Sequence, residues 1–121
     1  MSNWRLIKLE LAPTEAFPHG SPSRCYLMRL PLDAGGMIDE LARAFEPKRA
    51  TLRRFWPNEP DQSGYVLKVP GGWAFSHTAG EVDLEPVLHL EDHPIRQGEY
   101  LTLTEPDGSR LPFRIVSIAN A

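Results

Sequence analysis

From Trp4 to Leu11 the chain alternates, with Arg5, Ile7, Leu9 and Leu11 on one side and Trp4, Leu6, Lys8 and Glu10 on the other. A period of two is that of a β-strand, whose successive side chains point to opposite faces. Short runs of strand character recur at Arg24–Leu30, Ala50–Trp56, Tyr65–Val69, Trp73–His77, Val87–Leu90, Tyr100–Thr104 and Phe113–Ile118. Turn residues part them. The loop from Pro13 to Ser23 carries Pro18, Gly20 and Pro22; Gly71-Gly72 divides the Tyr65 and Trp73 runs, and Pro106-Asp107-Gly108 divides the last two. Such spacing predicts hairpins.

One stretch has the helical period instead. Ile38, Leu41, Ala42 and Phe45 fall at i, i+3, i+4 and i+7 and form one apolar stripe. Gly35-Gly36 precede it, and Pro47 stops it. A helix over residues 37–45 is too short to be stable alone, so its stripe is expected to pack on the sheet.

The pattern as a whole predicts a predominantly β, α+β fold. It would be a small barrel or packed antiparallel sheets, with one short helix covering an end or edge. Residues 1–121 are read as one globular β-rich domain. Its expected core is Ile7, Leu9, Leu27, Leu41, Leu67, Val69, Leu101, Leu103, Ile115 and Val116. The C-terminal run from Gly98 to Ile118 is similar to the closing hairpin of many small barrels and names no family.

Composition narrows the partners. A net charge of -3 gives no global attraction to nucleic acid or to an anionic membrane, so neither is an expected partner. The single cysteine, Cys25, excludes an internal disulfide framework and fits a reducing compartment. It sits in the apolar run Cys25–Met28 and reads as a small hydrophobe. No stretch approaches the roughly 18 apolar residues of a membrane span. The N-terminus lacks the hydrophobic stretch of a signal peptide. The expected location is the cytoplasm.

Four constellations are candidates for chemistry. With Gly71-Gly72 as a two-residue loop, Pro70 faces Trp73, Lys68 faces Phe75 and Val66 faces His77, which puts Trp73, Phe75 and His77 on one face. That face is either buried or an exposed aromatic patch that binds something, the reading that makes Trp73 a ligand-binding candidate. Arg53-Arg54-Phe55-Trp56 precedes a stiff loop holding Glu59. On a strand Arg54 shares a face with Trp56, an arrangement suited to stacking and anion binding, so Arg53, Arg54 and Trp56 are ligand-binding candidates as well.

The segment His89-Leu90-Glu91-Asp92-His93 holds potential metal ligands, with His77 as a further imidazole. Pro94 opposes a helix there and no Glu follows His89, so the helical metalloprotease motif is absent; His89 and His93 are only weak metal candidates. Charges are also segregated. Arg43, Lys48, Arg49, Arg53 and Arg54 form a basic tract, and Glu81, Asp83, Glu85, Glu91 and Asp92 an acidic one. They read as solvated surfaces, or as faces for complementary docking.

Catalytic templates fail: there is no Gly-x-Ser-x-Gly, no phosphate-binding Gly-x-x-x-x-Gly-Lys and no Cys-x-x-Cys. Carboxylates such as Glu59, Asp61, Glu81 and Glu105 are plentiful, and their spacing selects no pair. The expectation is a small cytoplasmic binding or interaction domain, non-catalytic and self-associating, with no cofactor. Its partner would be a second copy, another protein or a small anionic ligand. The alternative is a small hydrolase, lyase or isomerase acting on an anionic molecule, with His77 as base, Arg53 or Arg54 holding the anion, and Glu59 orienting or protonating.

Overall fold

Alternation becomes a curved antiparallel sheet in the computed structural model, which describes residues 3–70, 72–76, 88–91 (backbone only), 93–105 and 107–121. The strands are β1 (Asn3–Leu11), β2 (Ser21–Leu32), β3 (Thr51–Phe55), β4 (Gln62–Val69), β5 (Gly72–Ser76), β6 (Leu88–Glu91), β7 (Tyr100–Thr104) and β8 (Arg110–Asn120). A helix, α1 (Glu40–Phe45), lies between β2 and β3. Each strand pairs with the next, and β8 returns to β1 through Leu11↔Phe113 to Arg5↔Asn120, closing the barrel. Each of the described strands has a paired neighbour on both sides, which counters edge-to-edge aggregation. Among the described residues no helix is long and apolar enough to cross a membrane.

The core is the inward half of each alternation. Ile7, Leu9 and Leu11 from β1 meet Tyr26, Met28 and Leu30 from β2, Leu52, Val66, Trp73 and Phe75 from β3 to β5, and Leu101, Leu103, Phe113 and Ile115 from the last hairpin. Gly64 sits on the same inward face of β4. A Cβ there would overlap the ring of Phe75 and the carbonyl of Ser76, so only glycine admits that ring.

Four core expectations are corrected. Leu27, Val69 and Val116 lie half-buried on the outer face. Leu27 neighbours the inward Tyr26 and Met28, so parity sends it outward. At Val116 the pairing of β1 with β8 slips: Leu9 faces Ile115 while Lys8 faces Ser117. The bulge consumes Val116 and returns Ile118 to the core side. Leu41 is the fourth, 82% exposed.

The helix explains Leu41. Residues 37–39 are not helical; Ile38 instead bridges Leu32 in extended conformation and enters the core. Asp39 caps α1 by accepting from the Ala42 backbone N–H at 3.1 Å, so the helix starts at Glu40. With Ile38 outside the helical frame, the remaining six residues rotate about their own anchors. Arg43 turns inward, paired with Glu40 at 3.0 Å and lying 5.8 Å from the Trp73 ring centroid. Leu41 and Phe45 (89% exposed) face outward.

The β4–β5 hairpin differs in register. Lys68 faces Trp73, Val66 faces Phe75 and Val69 faces Gly72, so Gly72 belongs to β5 rather than to the turn, and Pro70 lies in the turn. A slip of two residues keeps every side chain on its face. Trp73 (2% exposed) and Phe75 are therefore buried, and Leu67 and Ala74 on the opposite face are buried too.

Candidate functional site

Tyr26, Arg54 and Gln62 stand side by side across β2, β3 and β4, because Tyr26 pairs with Arg54 and Arg54 with Gln62. All three occupy inward parity, one step beyond Met28, Leu52 and Gly64. Glu105 continues the inward series Leu101, Leu103 at the end of β7. Its backbone is held by the β7–β8 turn, where it donates to Ser109 O at 2.7 Å and accepts from Gly108 N at 2.8 Å. One end of the barrel thus carries polar side chains where the rest of the interior is apolar.

These groups satisfy one another. Arg54 Nη2 donates to Glu105 Oε1 at 2.9 Å, and Nε reaches the same oxygen at 3.3 Å and the Tyr26 hydroxyl at 3.2 Å. Tyr26 donates to Glu105 Oε2 at 2.5 Å. Arg54 Nη1 turns toward solvent and meets Glu59 Oε1 at 3.2 Å. A buried ion pair needs this saturation, since removing two charges from water is costly. Burial beside Glu105 pushes the Tyr26 phenol well above its ordinary range. Burial opposes the charge of Arg54, but its bonds to Glu105 and Tyr26 outweigh that and keep it more firmly protonated than a free arginine.

Aromatic rings frame the charges. The Arg54 guanidinium lies 4.1 Å from the Trp56 ring centroid, and Trp56 packs against Phe113 at 6.3 Å. Phe113 in turn meets Tyr26 edge-on at 5.1 Å. Arg24 approaches Trp56 from outside at 5.7 Å, braced over Phe17 at 4.1 Å.

The mouth beyond Arg54 encloses about 270 Å³. Its lining includes Glu59, Glu105 and Asp107 against the one cation, Arg54. The Glu59 side chain is 48% exposed, so negative charge extends from the barrel interior into solvent. Asp107 accepts from Ser109 N at 2.8 Å and Oγ at 2.6 Å, bonds that hold its carboxyl below the usual range. Gln62 Oε1, also in this lining, is buried and meets no donor.

The candidates from the sequence are dispersed. Arg54, Trp56 and Glu59 converge here. Arg53 does not: it points outward over Phe55 at 5.0 Å, as its odd position relative to Arg54 requires. Trp73 is a core ring at the opposite end of the β4–β5 hairpin from Gln62, and its Nε1 meets no acceptor. His77, the proposed base, lies outside the described residues, as does the acidic tract Glu81, Asp83 and Glu85. His89 falls on β6, where only the backbone is described, and Asp92 is outside the described residues. His93 is exposed with Nδ1 2.6 Å from Pro94 O. Among the described residues no three His, Cys, Asp or Glu side chains group as metal ligands. The Cys25 thiol is raised by burial, away from nucleophile chemistry.

The basic tract does not form one surface. Arg54 is inside, Arg53 outside, Arg43 beside Trp73, and Arg49 pairs with Glu46 and lies over Trp4 at 4.5 Å.

Tyr26, Gln62 and Glu105 are the site residues that sequence reasoning missed. A signal existed for Glu105: extending the alternation of Leu101 and Leu103 by one step puts a carboxylate inside the barrel. Arg54 follows Leu52 in the same way. Two opposite charges at inward parity were a buried pair waiting to be matched. No family model matches the chain, and neither a curated protein nor a solved structure matches it.

Proposed function

We propose that this chain is a non-catalytic binding module of the cytoplasm, which takes its ligand at the Arg54–Trp56 end of the barrel. The observation that carries the reading is a buried guanidinium, stacked on Trp56 and held by two carboxylates, at an opening with an excess of acceptors. Arg54 has its donors engaged by Glu105, Tyr26 and Glu59, so it rigidifies the site and does not offer a free positive charge. What the mouth offers a ligand is Glu59, Asp107 and the unmatched Gln62 Oε1. The complementary ligand group is a hydrogen-bond donor carrying positive charge, an amine or a guanidinium, rather than an anion. A single half-buried cysteine fits the cytoplasmic setting.

Self-association belongs to the same proposal. Leu41 and Phe45 stand one turn apart on α1, and both are exposed. Two large apolar side chains so placed suit contact with a second copy.

The test is a thermal-shift and calorimetric comparison of putrescine and arginine amide with sodium chloride at matched ionic strength. A ligand specific to the folded state adds about 2.7 kcal/mol at 100 times its dissociation constant. Stabilisation by either amine, lost in Glu59→Gln and in Gln62→Leu, is the expected result. Equal response of the wild type and both variants would reject the reading.

A further inference from the structure

We propose that the outer face of β2, β3 and β4 is a second ligand site, which holds the phosphate group of a small phosphorylated compound. The site is separate from the barrel mouth and does not depend on it.

A groove of about 430 Å³ lies on this face. Three cations line it, Arg29, Lys48 and Arg53, together with the hydroxyl residues Thr51, Ser63 and Tyr65. No carboxylate lines it. Strand pairing builds this arrangement. Arg29 faces Thr51, which faces Tyr65, and in the adjacent outward row Arg53 faces Ser63. Arg29 and Arg53 are thus diagonal neighbours, about 7–8 Å apart at the backbone, within reach of one another's long side chains.

Two guanidinium groups and an ammonium placed together repel one another. Four other described cations meet a carboxylate, Arg43 with Glu40, Arg49 with Glu46, Arg54 with Glu105 and Lys8 with Glu10, while Arg5, Arg24 and Arg96 donate to neutral oxygens of Asn120, Ser21 and Gly35. Arg29, Lys48 and Arg53 have no carboxylate partner among the described residues. The Arg53 guanidinium lies 5.0 Å from the Phe55 ring centroid. A guanidinium fork is suited to bidentate contact with a tetrahedral oxyanion, and the hydroxyls of Thr51 and Tyr65 can donate to its remaining oxygens.

Charge and dimension restrict the ligand. Three strands span only two interstrand spacings, roughly 10 Å, enough for one phosphate and a small body. The net charge of -3 gives no global attraction to a long polyanion, which disfavours a nucleic-acid strand.

The experiment titrates the full chain with inorganic phosphate, glycerol phosphate and oligothymidylate, at constant ionic strength set by sodium chloride. Calorimetry and phosphorus NMR line widths report binding. The double variant R29Q/R53Q removes the two forks, and Arg114→Gln on exposed β8 serves as control. Unchanged melting of each variant in chloride confirms folding; should the double variant unfold, Arg53→Gln alone replaces it. The expected result is saturable binding of phosphate or glycerol phosphate, weakened at least about tenfold in R29Q/R53Q and unchanged in Arg114→Gln. Absence of saturable binding, equal affinity in R29Q/R53Q, or binding of oligothymidylate alone would each overturn the proposal.

Discussion

Arg54 and Glu105 are separated by 51 positions in the chain, yet their side chains meet at 2.9 Å inside the barrel, with the Tyr26 hydroxyl closing the triangle. The pair ties β3 to the end of β7 across the interior, where no strand pairing joins them. It gives the mouth a fixed shape at the cost of desolvating two charges. Its worth is therefore in specificity of structure more than in net stability.

Breaking the pair should be far worse than removing it. Arg54→Met leaves the Glu105 carboxylate buried without its cation and is expected to cost about 3–5 kcal/mol. The double variant R54M/E105L should regain most of that loss. Urea unfolding of the single and double variants measures the coupling directly. Additive losses would show that the two charges act independently.

Tyr26 supplies a pH signature. Its folded-state pKa is raised, so the folded protein holds the phenolic proton more tightly than the unfolded chain does. The associated stability is fully present below the unfolded value near 10 and is lost as pH rises above it. Of the three tyrosines, one should therefore resist ionisation until the barrel opens. Ultraviolet titration across alkaline pH, compared with Tyr26→Phe, checks this: the variant should lack the resistant step and be less stable at neutral pH by about 1–3 kcal/mol.

Gly64 and Phe75 make a packing prediction. Gly64→Ala places a methyl where the Phe75 ring and the Ser76 carbonyl already lie. An overpacked core costs about 1–3 kcal/mol, and more where backbone must yield. Trp73→Ala, by contrast, empties a buried site and should cost about 3–5 kcal/mol. Chemical denaturation distinguishes both from a ligand-binding ring, whose loss would leave the midpoint unchanged.

Self-association is testable at α1. In analytical ultracentrifugation the wild-type chain should show concentration-dependent association, and L41S/F45S should sediment as a monomer with an unaltered melting temperature. These residues are 82% and 89% exposed, so their replacement removes little burial within one chain. A wild type that stays monomeric up to high concentration would dispose of the self-contact.

Much of the barrel is local information. Alternation in β1 and β7 placed Ile7, Leu9, Leu101 and Leu103 inside, because side-chain direction in a strand depends only on parity. The same rule separated Arg53 from Arg54 and joined Arg54 to Trp56. The hairpin at Pro70 kept its faces even though its register slipped, since two residues restore parity. Parity failed where the chain broke it: at the β8 bulge Val116 is inserted between paired residues, and no periodicity shows that in advance.

The helix stripe shows the other limit. Ile38, Leu41 and Phe45 have helical spacing, but a bridge back to Leu32 at the end of β2 takes Ile38 out of the helix and turns the rest around. The candidate site divides along the same line. Sequence alone determined that Arg54 and Trp56 share a face and that Glu105 follows an inward series. Only the closed sheet determined that Glu105 and Tyr26 meet Arg54, and that Arg29 stands beside Arg53 with no carboxylate between them. Which strands become neighbours, and in what register, is a long-range property of closure, whereas the face a residue occupies is set by the pleat of its own strand.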